Sequence, residues 1–247
     1  MSTLEYIILF TFLGSIVSLI GGILLLAKEK FALKISHFLS AFAAGTLLGT
    51  AFFDLLPEAV EGGEGLNIFF WALLGILIFF LLERFIHHHH DHPKGQKNIV
   101  PLIVVGDSVH NFVDGVAIAA TFLISIPLGV VTSLAVAAHE IPQEIADFGL
   151  MLHQGVKRGK VVWINLLSAS AALLGAVLTF LFQERIEGML PAVLAITAGF
   201  FIYIAASDLI PEIHNRENRT IAFWETVMLL VGVLVIYLTI TSLEGTH

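Results

Sequence analysis

The sequence predicts an all-α integral membrane protein with eight transmembrane helices. The chain has 247 residues, of which 57% are hydrophobic and only 13% are charged, and its mean hydropathy is +0.92. Soluble domains are typically about 45–50% apolar and about 25% charged. Because each helical span needs roughly 20 apolar residues, the chain holds about eight or nine spans and no soluble domain. We therefore expect residues 1–247 to form a single transmembrane domain, which argues against a cytosolic enzyme or a nucleic-acid-binding protein.

Eight apolar segments bounded by charged residues are each long enough to cross a bilayer. These predicted spans cover residues 6–27, 37–60, 68–86, 98–123, 127–152, 161–182, 190–213 and 221–241. Every lysine and arginine except Arg185 falls in the loops that follow spans 1, 3, 5 and 7. By the positive-inside rule these loops are cytoplasmic, which places both termini on the extracytoplasmic side of the cell membrane or an inner membrane.

A short internal repeat predicts the symmetry of the fold. Asp54-Leu-Leu-Pro-Glu58 in span 2 recurs as Asp208-Leu-Ile-Pro-Glu212 in span 7, and Ala-Gly precedes each copy at the same spacing. Spans 2 and 7 cross the membrane in opposite directions, so an inverted repeat relates helices 1 to 3 with helices 6 to 8 and leaves helices 4 and 5 central. Such repeats recur in secondary transporters. The alternative is a chance similarity between two helix ends.

Spans 4 and 5 carry most of the ionisable residues that the bilayer would enclose. Charged side chains there are costly unless they face a partner, a metal or water, so they are candidate functional residues. In span 4 the polar residues fall on one helical face, at the spacing i, i+3, i+4 and i+7. They are Asp107, His110, Asn111 and Asp114. Span 5 carries His139, Glu140, Gln143, Glu144 and Asp147.

The two polar faces are expected to meet at one depth. Asn111 and His139 lie equally far from the turn near Ser125, and Pro142 leaves the carbonyl of Ala138 without its helical hydrogen bond. Cysteine is absent, so any metal must be held by imidazole, carboxylate or amide groups, which suits Zn²⁺, Fe²⁺ or Mn²⁺. The structural alternative is a buried hydrogen-bond network that joins two helices or relays protons.

An intramembrane zinc metalloprotease is a second alternative. His139-Glu140 resembles the start of the H-E-x-x-H motif, in which the second histidine follows one helical turn later. Gln143 occupies that position here, and Pro142 distorts the helix that would support the pair. The sequence therefore argues against protease activity and against an enzyme in general.

The loop between spans 3 and 4 is rich in histidine. Two interpretations remain open: a solvated low-complexity loop, or a cytoplasmic segment that captures metal loosely. The histidines are His87, His88, His89, His90 and His92.

The motifs His-Asn-Phe-x-Asp-Gly in span 4 and His-Glu-x-Pro-x-Glu in span 5 resemble those of the ZIP (Zrt- and Irt-like) family of divalent-metal transporters. The resemblance covers the whole chain. It implies a bundle of helices 1, 4, 5 and 6 around the metal, a frame of helices 2, 3, 7 and 8, and a homodimer. It also implies the metal ligands His110, Asn111, Asp114, His139, Glu140 and Gln143.

The sequence departs from the best-described pattern of that family. Span 6 has no acidic residue to hold a second metal, Gln143 stands where a bridging carboxylate is expected, and Leu47 replaces a methionine found in some members. We therefore expect one metal site of high occupancy. Asp54 resembles the residue at the family's metal entrance.

These observations predict a secondary transporter that moves a divalent transition metal into the cytoplasm. Zn²⁺ is the first candidate, followed by Fe²⁺, Mn²⁺ and Cd²⁺, and the ion is cargo rather than a cofactor. Expected partners are the metal, the bilayer and a second copy of the chain, without nucleic acid or nucleotide. A gated channel or metal sensor is the alternative. A second tier of residues along the metal path comprises Asp107, Glu144, Asp54, Glu58, Asp208, Glu212 and the five loop histidines.

Overall fold

A computed structural model gives the fold of residues 1–88, 100–214 and 218–244. Every regular element in these ranges is helical, as the sequence predicts. The helices are α1 (Thr3–Thr50), α2 (Leu56–Gly62), α3 (Ile68–His88), α4 (Val100–Ile124), α5 (Ile126–His153), α6 (Arg158–Leu181), α7 (Gln183–Ile186), α8 (Leu190–Tyr203), α9 (Ile210–His214) and α10 (Arg219–Glu244). A short 3₁₀ turn, Glu187–Met189, joins α7 to α8.

The helix α1 contains the first predicted span and the first part of the second, which continues through a π-helical segment into α2. It starts with a capping box, in which Glu5 N donates to Ser2 Oγ and Ser2 N donates to the Glu5 carboxylate. The expected loop between the spans is absent from this described segment. Instead, Lys28 alone has non-helical torsion angles, φ −144° and ψ 63°. A single kink therefore replaces a loop, because residues 29–36 themselves favour a helix.

Five stretches of the described chain are long and apolar enough to cross a membrane. They are Thr3–Gly62, Ile103–Ile124, Arg158–Leu181, Gln183–Ile213 and Arg219–Leu243. The first stretch, at 60 residues, is long enough for two crossings. The sequence of α5 is interrupted by Glu140, Glu144 and Asp147, although its 28 residues would reach across a bilayer. The chain is thus a helical membrane protein, and the count of eight spans stays a prediction.

Glycines bring three pairs of helices into close contact. A Cβ atom on Gly45 of α1 would lie 2.0 Å from the carbonyl oxygen of Leu229 in α10. The same close approach joins α3 to α8 at Gly75 and Gly199, and α4 to α6 at Gly115. Small residues at such positions allow backbones to pack directly, which is how helices associate tightly in a bilayer.

Two π-helical segments join helices end to end: Ala51–Leu55 lies between α1 and α2, and Ile204–Leu209 lies between α8 and α9. Each is followed after one residue by a proline, Pro57 or Pro211. A proline nitrogen cannot donate to the carbonyl four residues earlier, so the turn before it can widen. π-bulges of this kind are frequent at functional sites. Asp54 and Asp208 lie within these two segments.

We expect Gly45→Ala to destabilise the protein by about 1–3 kcal/mol, because the added methyl group forces α1 away from α10. Gly14→Ala is the matched control, since no atom lies within 4 Å of a Cβ atom at that position of the same helix. Thermal unfolding of the purified variants measures the difference. Equal unfolding temperatures for the two variants would contradict the close packing.

The orientation can be tested with single cysteines because the chain has none of its own. Glu64 and Gln154 are both exposed, and the charge distribution puts them on opposite sides of the membrane. An impermeant thiol reagent added to intact cells should label Glu64→Cys and spare Gln154→Cys until the cells are opened. Labelling of Gln154→Cys in intact cells would reverse the predicted topology.

Candidate metal centre

Four side chains of α4 and α5 converge inside the protein. They are His110, Asp114, His139 and Glu140, and one ligand atom from each lies within 4.8 Å of all the others. The two imidazole Nε2 atoms are 3.0 Å apart. Asp114 Oδ2 lies 3.5 Å from His110 Nε2 and 3.3 Å from His139 Nε2. Glu140 Oε1 lies 3.5 Å from His110 Nε2 and 3.9 Å from His139 Nε2.

These separations suit one bound cation. Ligand atoms placed tetrahedrally at about 2.0–2.1 Å from Zn²⁺ stand roughly 3.3 Å from one another. The distances from the two imidazole Nε2 atoms to each other and to the two carboxylates, 3.0–3.9 Å, bracket that value. The donor set of two imidazoles and two carboxylates is one that Zn²⁺ and the other divalent metals of the first transition row accept. The group therefore has the composition and the spacing of a metal site.

Helical geometry explains how the sequence assembles this group. His110 and Asp114 are one turn apart and share a face of α4. In α5, the Nδ1 atom of His139 lies 3.1 Å from the carbonyl oxygen of Ala135, one turn earlier. A proton on Nδ1 donates to that carbonyl, and the Nε2 lone pair then faces the other three ligands. Such an outer hydrogen bond fixes both the tautomer and the orientation of a metal-binding histidine.

Burial makes the group costly without a cation. Asp114 and Glu140 are each 3% exposed and His139 is 1% exposed. Neither oxygen of Glu140 accepts a hydrogen bond of ordinary geometry from the described residues. A buried carboxylate without a partner costs several kcal/mol. A divalent ion at this point would offset the charge of both carboxylates, so the unsatisfied oxygens favour a metal site over a network of hydrogen bonds.

Asn111 and Asp107 form a separate clamp beside the four ligands. The Asn111 amide nitrogen donates to the backbone carbonyl of Asp107, at 3.0 Å, and to its Oδ1 atom, at 2.8 Å. Ser168 of α6 donates to Asp107 Oδ2, and Ser108 donates to Ser168. The clamp ties α4 to α6. Asn111 therefore lies next to the group, with its amide nitrogen turned away from it.

The other residues predicted in α5 have two different positions. Gln143 lines a cavity together with His110 and His139. Glu144 is 1% exposed and lies outside that cavity lining. Neither of its carboxylate oxygens accepts a hydrogen bond from the described residues. Four of the six ligands that the family resemblance implies thus converge, and the other two, Asn111 and Gln143, border pockets that these four residues also line.

A cavity of about 620 Å³ extends from the site towards the ends of α3 and α9. Its lining includes both site histidines, Asp208 and Glu212. On the opposite side of the ligands, a pocket bounded by Thr11 and Ile118 measures only about 10 Å³. Within the described part of the chain, the larger of these two openings therefore lies on the side that the charge distribution predicts to be cytoplasmic.

Two further second-tier residues, Asp54 and Glu58, lie outside the lining of the large cavity. Asp54 belongs to the π-helical segment after α1, and Glu58 belongs to α2. His87 and His88 end α3, but their side chains are not described, and His89, His90 and His92 lie outside the described residues.

Sequence reasoning missed a set of residues on the cavity wall. Phe79 and Glu83 of α3 line the cavity, and Tyr203 of α8 donates a hydrogen bond to Glu83. The sequence signal is a carboxylate in span 3 and a phenol in span 7, and neither residue belongs to a recognisable motif.

The fold and the site together define a helical membrane protein with a buried group suited to divalent metals. Comparison with known proteins agrees with this description. The family model described as "ZIP Zinc transporter" matches residues 4–101 and 87–239. The chain belongs to this family, as the two motifs in α4 and α5 predicted.

Curated proteins similar to this chain are also described as zinc transporters. Zinc transporter ZIP13 of Pongo abelii is 32% identical over 229 residues, which cover 87% of this chain and 69% of the relative. Zinc transporter ZIP13 of Mus musculus is 29% identical, with 87% and 72% of the two chains covered. Zinc transporter foi of Drosophila melanogaster is 34% identical over 63% of this chain and 22% of its own. These relatives are transporters rather than enzymes, which agrees with the argument against a protease.

Replacement of a ligand should abolish tight metal binding. Loss of an outer hydrogen-bond partner of a metal ligand lowers metal affinity about 10- to 100-fold. His139→Ala removes a ligand itself, so we expect it to weaken Zn²⁺ binding by more than this. His153→Ala is the control, since His153 is exposed at the end of the same helix. Isothermal titration of the purified proteins measures both affinities. Equal affinities in the two variants would place the metal elsewhere.

Proposed function

We propose that this protein is a secondary transporter that carries Zn²⁺ into the cytoplasm through a site between α4 and α5 near the middle of the membrane. The observation that carries the proposal is the convergence of His110, Asp114, His139 and Glu140 at distances that suit one divalent ion. Family membership supports transport as the purpose of the site. The ion is the cargo, and a single ion would occupy the four ligands.

The large cavity supports release towards the cytoplasm. It joins the ligands to Asp208 and Glu212, at the end of span 7 that the charge distribution puts inside the cell. An ion that leaves His110 and His139 would meet these carboxylates next. The pocket on the other side is small. A carrier requires restricted access on one side, because a site open to both sides at once would let the ion follow its gradient freely.

The pairing of helices supports an inverted repeat. The repeat would exchange span 2 with span 7 and span 3 with span 8. The glycine contact between α1 and α10 joins spans 2 and 8, and the contact between α3 and α8 joins spans 3 and 7. The two π-helical segments also fall at matching positions, on Asp54 and Asp208. An approximate two-fold relation of this kind allows one chain to adopt two similar arrangements, each open to one side.

Zinc is proposed ahead of other metals because the relatives are described as zinc transporters. The ligand set itself would also accept Fe²⁺, Mn²⁺ or Cd²⁺. The acidic residues of the outer π-helical segment and α2, Asp54 and Glu58, would attract the ion before it binds, and the His-rich loop would receive it afterwards. A homodimer in the membrane completes the proposal.

Uptake by the purified protein in liposomes tests the function. We expect Zn²⁺ influx that saturates with concentration and is inhibited by Cd²⁺, together with loss of influx in His110→Ala and His139→Ala. Both variants should still purify as folded protein, because the substitutions remove polar groups rather than packing. A zinc-sensitive dye inside the vesicles measures the rate.

Several outcomes would overturn the proposal. Absence of uptake by the unmodified protein would refute metal transport. Near-normal uptake by both alanine variants would make the histidines structural. A sustained single-channel current, without saturation, would replace the carrier with a gated channel.

A further inference from the structure

The two site histidines are oriented by different means. Nδ1 of His139 lies 3.1 Å from the carbonyl oxygen of Ala135 in its own helix, so this ring is fixed from within α5. Nδ1 of His110 has no hydrogen-bond partner among the described residues. The His110 ring instead contacts the ring of Phe79 in α3, with centroids 5.6 Å apart and planes at 87°. Apart from the other site residues, which its Nε2 atom faces, the orientation of His110 therefore depends on a residue from another helix.

Phe79 is held in place by α8. Its ring packs against Phe200 and Tyr203, with centroids 5.5 Å away in both cases. Tyr203 Oη donates a 2.5 Å hydrogen bond to Glu83, one turn after Phe79 in α3. Glycine contacts at Gly75 and Gly199 join the same two helices. The position of the Phe79 ring is thus set by the packing of α3 on α8.

The contact between Phe79 and His110 joins two parts of the protein. α3 packs along α8, whereas α4 packs along α6. A movement of the first pair relative to the second would separate the Phe79 ring from the His110 ring. His139, fixed by its own helix, would keep its orientation. His139 is therefore a constant ligand, whereas the orientation of His110 depends on how the pair α3 and α8 is arranged relative to the pair α4 and α6.

We propose that Phe79 is a positioning residue for the metal site, which orients His110 towards the ion when the cavity is open and releases it when α3 and α8 move. The inference rests on the proposed function, because it requires that His110 binds the transported metal. Edge-to-face contacts between aromatic rings have a preferred geometry, which an aliphatic side chain of similar volume does not provide. The aromatic character of Phe79, rather than its size, is what the site requires.

The test compares an aliphatic with an aromatic replacement. Phe79→Leu should weaken equilibrium Zn²⁺ binding by about 3- to 10-fold and raise the KM of uptake by a similar factor. Phe79→Tyr should retain the affinity within about two-fold, since it keeps the ring. Phe69→Leu is the matched control, because Phe69 lies in the same helix and is 72% exposed. A lower unfolding temperature of Phe79→Leu with unchanged Zn²⁺ affinity would make Phe79 a packing residue and overturn the inference.

A double-mutant cycle shows whether the effect passes through His110. In a His110→Ala background, Phe79→Leu should cause no further loss of the residual affinity. An equal loss in both backgrounds, or unchanged affinity in Phe79→Leu alone, would overturn the inference. If Phe79→Leu does not fold, Phe79→Met gives the same comparison with a more adaptable side chain. Absence of Zn²⁺ binding by the unmodified protein would instead refute the proposed function.

Discussion

Four ionisable side chains share a few ångströms of space inside an apolar protein, and their mutual electrostatics constrain everything around them. Asp114 and Glu140 are almost fully buried, and a buried carboxylate is tolerated only beside a compensating charge. A metal cation held by the two imidazoles and the two carboxylates would supply that charge. The helices that surround the group then have to hold it together and also allow the cation to leave.

The helix packing satisfies the first of these requirements. Close glycine contacts bring α4 against α6 and α1 against α10, and the clamp of Asp107, Asn111 and Ser168 joins α4 to α6 by hydrogen bonds. Rigid pairs of helices can move as units, because their internal contacts are retained during the movement. The aromatic contact of Phe79 with His110 lies between such units.

The second requirement is met by an asymmetric set of ligands. His139 is fixed by the carbonyl of Ala135, whereas His110 lacks an equivalent bond within the described residues, and both rings line the cavity. A site in which every ligand is rigid would bind tightly and release slowly. In the proposed transporter, His110 would therefore release the ion more readily than His139, into the cavity that Asp208 and Glu212 also line.

The sequence by itself determined the helical class, membrane insertion and the family, because composition and two local motifs carry that information. It also placed His110, Asp114, His139 and Glu140 on facing sides of two helices, since helical periodicity follows directly from residue spacing. Tertiary structure decided what spacing cannot express. It replaced the first loop with a kink at Lys28, turned the Asn111 amide nitrogen towards Asp107, and brought Phe79 and Tyr203 to the site. The positions of Phe79 and Tyr203 depend on contacts between residues far apart in the chain, and such contacts arise only when the helices pack together.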